Sequence, residues 1–228
     1  METQTADLTV AVQDYLKAIY ALETAGERVT TSALAGRMSV SAPSATAMTK
    51  RLAELGLVER APYRGVVLTD EGRRGALEVL RHHRLLERYL VDRLGLSLDE
   101  VHVEADRLEH ALSEELEAKI DAELGFPTHD PHGDPIPDRE LRVAAGGARS
   151  LVDLVPGERA SVSRVPDGDP ELLRYLAELG LVPGSGVELV SKAPFGGPVT
   201  MRTETGEHAI SRELADRISA ASWGQAEP

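Results

Sequence analysis

Residues 98–125, LDEVHVEADRLEHALSEELEAKIDAELG, constrain this chain more than any other stretch. Neither Pro nor Gly interrupts them before Gly125, and the spacing predicts one helix throughout. His102, Asp106, Glu109 and His110 stand at i, i+4, i+7 and i+8, which a continuous helix places on one side. Two imidazoles and two carboxylates on one face cost free energy to bury unless a partner compensates them. A divalent cation would be such a partner, whereas a bland acidic helix would simply be a solvated face. Val101, Leu108, Leu112, Leu116 and Ile120 form a separate apolar stripe, suited to packing on the preceding helix or on a second subunit.

Composition narrows what can surround this stretch. The 228 residues allow one large domain or two to three small ones. With 4% aromatic residues the cores must rest on Leu, Val, Ala and Ile. The chain has no Cys, so disulfide scaffolds and thiolate metal sites are excluded. No apolar run reaches the length of a membrane span and the start lacks a signal pattern, so a soluble, cytoplasmic protein is expected. A net charge of −13 argues against generic nucleic-acid binding, but the charge is uneven. Residues 28–64 carry six bases against two acids, and residues 98–125 carry ten acids against two bases. One region is suited to phosphate and another to cations.

Taken in order, residues 10–25 predict an amphipathic helix with Tyr15, Ile19, Tyr20 and Leu22 on its apolar side. Asp14 near its start would complement the positive helix end. Thr30 or Thr31 can cap a short helix through Met38, and Ser39 to Ser41 make a tight turn. Pro43 suits the first turn of the next helix, which stops at Gly56. Its outer face reads Ser44, Thr46, Ala47, Thr49, Lys50 and Arg51, small enough to approach base edges and basic enough to meet phosphates. Strand, turn and strand follow over residues 58–69, with Tyr63 and Arg64 at the tip. This is a helix–turn–helix with a wing, and Ser41, Pro43, Ser44, Thr46, Ala47, Lys50, Arg51, Tyr63 and Arg64 are the expected DNA contacts. Thr69 or Asp70 can cap a long helix to about Leu94, which carries His83 and Glu87 one turn apart. Residues 127–149, rich in Pro and Gly, read as an extended linker that still contains His129, Asp130 and His132. Residues 150–222 alternate short β-type runs with a helix over residues 170–179, as expected for a small SH3-like barrel. The expected fold is therefore mainly α with a small β part. Its divisions are a DNA-binding domain (1–72), a helical dimerisation and metal-binding domain (73–126), a linker (127–149), a barrel (150–222) and a tail (223–228).

These pieces together resemble the diphtheria toxin repressor family of metal-dependent transcriptional regulators. The resemblance starts at the DYLKAIY run (residues 14–20) and continues through the winged helix. It takes in HHRLLERYL (82–90), VHVEADRLEH (101–110), DPHGDPIP (130–137) and the barrel, and the VHxEAxxxEH pattern is its most specific part. It implies a primary metal site from Asp14, Asp106, Glu109 and His110. It implies a second site that uses His83, Glu87 and His102 in iron-type members. In manganese-type members with a barrel, the second site instead uses Glu87, Asp130, His132 and a barrel acid, best matched by Asp167. Iron-type members commonly carry Met and Cys where this chain has Asp14 and Asp106, and Glu where it has Arg164. Lys17 stands where the manganese branch often has a second acid, and Asp130 replaces its usual Cys.

Hard oxygen ligands with a few imidazoles suit Mn(II), with Fe(II) as the alternative and Zn(II), Co(II) or Cd(II) as substitutes in vitro. The resemblance implies a homodimer whose two winged helices meet a palindromic operator, with two dimers per operator as a further option, and repression of metal-uptake genes. A metal-dependent hydrolase is the rival from another class. It would need a general base outside the ligands, which the sequence does not offer, and would leave the winged helix unexplained.

Overall fold

The computed structural model describes residues 8–61, 63, 65–144 and 149–223. Arg64, expected at the wing tip, lies outside them. The chain divides into two compact units, one of Met1–His83, Leu108–Ser113 and Pro137–Arg142, the other of Arg84–Arg107, Glu114–Ile136 and Val143–Pro228. Among the described residues no helix is long and apolar enough to cross a membrane.

In the first unit, α1 (Val10–Thr24) buries Val12, Tyr15, Leu16, Ile19 and Leu22, a stripe at helical spacing. The Thr30 hydroxyl caps α2 (Thr31–Arg37) by accepting from Ala33 N at 3.0 Å. Ser41 caps α3 (Ala42–Glu54), and Pro43 sits in its first turn, where a missing N–H is harmless. Leu16, Ile19, Leu34 and Leu52 are fully buried together, each contributing about 1.5–3 kcal/mol. Strands β1 (Val58–Ala61) and β2 (Gly65–Leu68) pair antiparallel from Val58↔Leu68 to Ala61↔Gly65. Gly65 is required here, since its φ is +86° and a Cβ would lie 2.1 Å from the Val29 carbonyl oxygen. The wing is thereby seated, with Val66 N donating to that same oxygen at 3.0 Å. Thr69 Oγ1 accepts from Gly72 N at 3.1 Å at the start of α4 (Asp70–Leu94).

The single helix expected over residues 98–125 does not form. Helix α5 (Leu98–Leu108) gives way to a 3-10 turn at Glu109–Ala111, Leu112 is extended, and α6 (Glu114–Glu123) restarts the helix. Only His102 and Asp106 therefore share a helical face, while Glu109 and His110 sit on the turn. Two forces account for the break. The Glu109 carboxylate is buried against partners on α1 and α4, and Glu114, Glu115 and Glu117 in the first turn of α6 favour a new positive helix end. The expected apolar stripe breaks with it, for Val101 and Ile120 are buried but Leu108 and Leu116 are exposed.

In the second unit, six antiparallel strands run in the order β3-β8-β4-β5-β6-β7. They are β3 (Arg149–Ser150), β4 (Arg159–Arg164), β5 (Gly186–Lys192), β6 (Val199–Thr203), β7 (Gly206–Ile210) and β8 (Ser219–Ser222). Helices α7 (Pro170–Glu178) and α8 (Arg212–Arg217) accompany the sheet around a core that includes Leu151, Leu154, Leu176, Leu189, Met201 and Ile218. The segment read as an extended linker is tightly folded over residues 128–136. Asp130 Oδ1 accepts from His132 N and Asp134 N, both at 2.9 Å, and Ile136 N donates to the Thr128 carbonyl. Gly133, at φ +93°, lies so close to β4 that a Cβ would stand 1.9 Å from the Ser163 carbonyl oxygen.

Candidate metal centre

Three of the expected primary ligands converge in the first unit. Asp14 comes from α1, and Glu109 and His110 come from the 3-10 turn. One ligand atom from each lies within 4.8 Å of the others. His110 Nε2 is 2.9 Å from Asp14 Oδ1 and 3.3 Å from Glu109 Oε1. Its other nitrogen, Nδ1, is 2.6 Å from Gln13 Oε1. Gln13 Oε1 thus accepts the Nδ1 proton, and Nε2, the nitrogen a cation would take up in exchange for its proton, faces the carboxylates. Burial holds the Asp14 carboxyl above its ordinary value; His110 pulls it down and Glu109 pushes it up. Two oxygen donors and one oriented imidazole fit a divalent cation of the harder kind.

Glu109 is 1% exposed in its side chain and anchors the cluster. Lys17 Nζ donates to both of its carboxylate oxygens, at 2.7 and 2.8 Å. His83 Nδ1 is 2.5 Å from Glu109 Oε2, and His82 Nδ1 is 3.1 Å from the Glu109 carbonyl oxygen. Asp106 falls in the second unit, where its carboxylate pairs with His102 Nε2 at 3.6 Å.

A second cluster is buried in the second unit. Glu87 on α4, with Asp130 and His132 from the folded turn, again brings ligand atoms within 4.8 Å. All three residues are buried. His132 Nε2 donates to the Leu98 carbonyl at 3.0 Å, which directs Nδ1 at Glu87 Oε2, 3.6 Å away. That gap is longer than an ordinary hydrogen bond. Glu87 Oε1 meets His102 Nδ1 at 3.1 Å. Burial pushes the Asp130 carboxyl well up, and the charges of Glu87 and Asp134 add to it. Burial alone would lower the His132 imidazole, but the facing Glu87 and nearby Asp130 raise it to about 9. Raised carboxyls around a raised imidazole mark a pocket whose negative charge outweighs the cations beside it. Asp167 raises Asp134 and so stands within reach of its charge. Arg84 is a neighbour that the sequence does not announce, and Arg164 takes the place of the iron-type Glu. Arg84 lies 3.5 Å from both Asp130 and Asp134, and Arg164 lies 3.1 Å from Asp134.

The expected DNA-contacting face is exposed at Ser41, Pro43, Ser44, Thr46, Ala47, Lys50 and Arg51. Thr49 is not part of it: it is buried and its hydroxyl donates to the Ala45 carbonyl at 2.8 Å. Tyr63 projects from the wing, 93% exposed.

Comparison with known proteins agrees with this layout. Residues 7–66 match the iron dependent repressor N-terminal DNA binding domain, residues 69–138 the iron dependent repressor metal binding and dimerisation domain, and residues 149–221 the FeoA domain. The iron-dependent repressor IdeR of Mycobacterium leprae is 34% identical over 226 residues, covering 93% of this chain and 97% of that protein. A solved manganese-dependent transcriptional repressor in complex with manganese is 42% identical, with a TM-score of 0.82, covering 92% of this chain and 99% of its own. The manganese regulator SloR is 30% identical, with a TM-score of 0.77 and coverage of 92% and 98%. Fold and site define a metal-dependent, DNA-binding transcriptional regulator. The chain belongs to the iron-dependent repressor family, which includes the diphtheria toxin repressors, and the members of that family are regulators and not enzymes.

Proposed function

We propose that this chain is a manganese-responsive repressor that binds palindromic operator DNA as a homodimer and controls metal-uptake genes in the cytoplasm. The Asp14–Glu109–His110 cluster carries the reading. Its donors are two carboxylates and one imidazole with no sulfur, a set that suits Mn(II). Asp106, three residues before Glu109 in the chain, is proposed as a further ligand on the sequence resemblance. Glu87, Asp130 and His132 are proposed to hold a second cation, with Asp167 as an added donor.

Asp14 and Glu109 repel each other, and a divalent cation supplies the positive charge that offsets this when bound. Asp14, Glu109 and His110 would hold that cation, which would add to the Lys17 and Gln13 contacts that already join α1 to the Glu109–Ala111 turn. Gln13 accepts the Nδ1 proton of His110, so Nε2 is the nitrogen offered to the cation. Because α1 also packs in the core that supports α2 and α3, fixing it fixes the DNA-reading face. Ser44, Thr46 and Ala47 would then meet base edges and Lys50, Arg51 and Tyr63 the backbone. Exposed Val103 and Leu116 support an apolar subunit contact. Two dimers on one operator are a further part of the proposal.

The test is an operator-shift titration. Mn(II) should promote binding, chelator should abolish it, and His110→Ala should bind no better with Mn(II) than without. Retained Mn(II) response in His110→Ala would sink the primary-site assignment. An Fe(II) sensor is the second reading, favoured by the match to the iron-dependent repressor. Titrations at matched free Mn(II) and anaerobic Fe(II) separate the two, with Zn(II), Co(II) and Cd(II) as expected substitutes in vitro.

A further inference from the structure

We infer that Lys17 is an internal counter-cation of the Asp14–Glu109–His110 cluster and sets how much divalent metal the cluster requires before it fills. This rests on the metal-site reading above and names a regulator of the same site. Lys17 lies one turn after Asp14 on α1, so both side chains leave the same side of the helix. Its ammonium donates to both Glu109 oxygens, at 2.7 and 2.8 Å, and lies 3.4 Å from His83 Nδ1. The Glu109 carboxylate is almost wholly buried, while the Lys17 side chain keeps 22% of its surface exposed.

A buried carboxylate without a cation is strongly disfavoured, and Lys17 provides one. The cluster therefore holds one net negative charge, from Asp14, Glu109 and Lys17, where the carboxylates alone would hold two. A divalent cation drawn to a Glu109 oxygen competes with the Lys17 ammonium for the same negative charge. The ammonium is then left beside a like charge at short range. The partly exposed side chain can relieve this by swinging toward water, and that displacement opposes filling. Lys17 thus stabilises the metal-free arrangement and weakens metal binding through the same two hydrogen bonds.

The test uses the full chain, with Mn(II) binding followed by calorimetry and unfolding followed with and without Mn(II). Lys17→Met removes the charge and keeps the length. It should bind Mn(II) at least about tenfold more tightly than the wild type. Its metal-free Tm should fall, and the rise in Tm on adding Mn(II) should grow. Lys17→Arg, which keeps the charge, should bind close to the wild type. If Lys17→Met does not fold, Lys17→Gln carries the same expectation. Mn(II) affinity equal to or below the wild type in the neutral variants overturns the inference, provided His110→Ala loses binding. If His110→Ala binds Mn(II) as well as the wild type, the metal-site reading itself has failed and the role of Lys17 falls with it.

Discussion

The two carboxylate–imidazole clusters use similar groups under different conditions. The first has a side that reaches solvent, since the Asp14 side chain is 34% exposed, and its anchoring carboxylate already has an ammonium partner. The second is closed: the side chains of Glu87 and His132 are inaccessible, and the arginine beside Asp130 stands 3.5 Å away. Exposure lets a group exchange partners quickly, while burial makes every unbalanced charge costly. The first cluster is thus open to exchange on its Asp14 side, and the second is shut off from solvent.

The largest expected effect separates them by stability. His132→Ala leaves Glu87 and Asp130 buried without their imidazole and should lower the unfolding free energy by about 3–5 kcal/mol in denaturant titrations. His110→Ala should lower it far less, because that ring reaches a partly exposed carboxylate. Equal losses would erase the contrast. Next in size, Gln13→Leu frees the His110 tautomer and should weaken Mn(II) binding by about 10–100-fold with little change in stability. An unchanged calorimetric affinity would show that Gln13 does not orient the ring.

The smallest expected effect is one of pH and belongs to the second cluster. The folded-state pKa of His132 is raised to about 9, so its contribution is complete below the ordinary histidine value and is lost as pH rises through about 9. Asp130, raised to about 7, acts in the same direction over a lower window that closes near pH 7, so the loss above it belongs to His132. Metal-free protein should therefore lose stability between about pH 7 and 9.5. His132→Ala should flatten that slope. A wild-type profile that rises over this range would contradict the arrangement around Glu87.

The winged helix was readable because its signals are local. Thr30, Pro43 and Thr69 act within three residues of themselves, and the structure uses each as a cap or first-turn residue, while Ser41, read as part of a turn, caps α3. The break at Glu109 was not readable, because residues 98–125 satisfy helical spacing whether or not the helix continues. The acids that open α6 are a local signal, but what places the break at Glu109 is tertiary: it meets Lys17 from 92 residues away and His83 from 26. The same reason hid Arg84 and Gln13, whose roles depend on what the fold brings beside them. Thr49 belongs with Ala45 and Leu52 on the buried stripe of α3, and its polar hydroxyl hides this because the Ala45 carbonyl satisfies it. Strands β3 and β8 and helix α8 leave no sequence signal, since two residues, SAAS and RELADR are too short to show a period. Asp14, Glu109 and His110 were legible as a set of donors, but their convergence required the turn that the sequence pattern concealed.

The glycine of the DPHG turn has a consequence for how this protein can be cut or inherited. Gly133 leaves no room for a side chain against the Ser163 carbonyl oxygen, and Val165 N donates to the His132 carbonyl at 2.9 Å. Asp130 and His132 therefore owe their positions to strand β4 and the residues that follow it. The barrel is not a detachable module. A shortened descendant of this chain could keep the residues of the buried cluster in its sequence and still lose the scaffold that seats them.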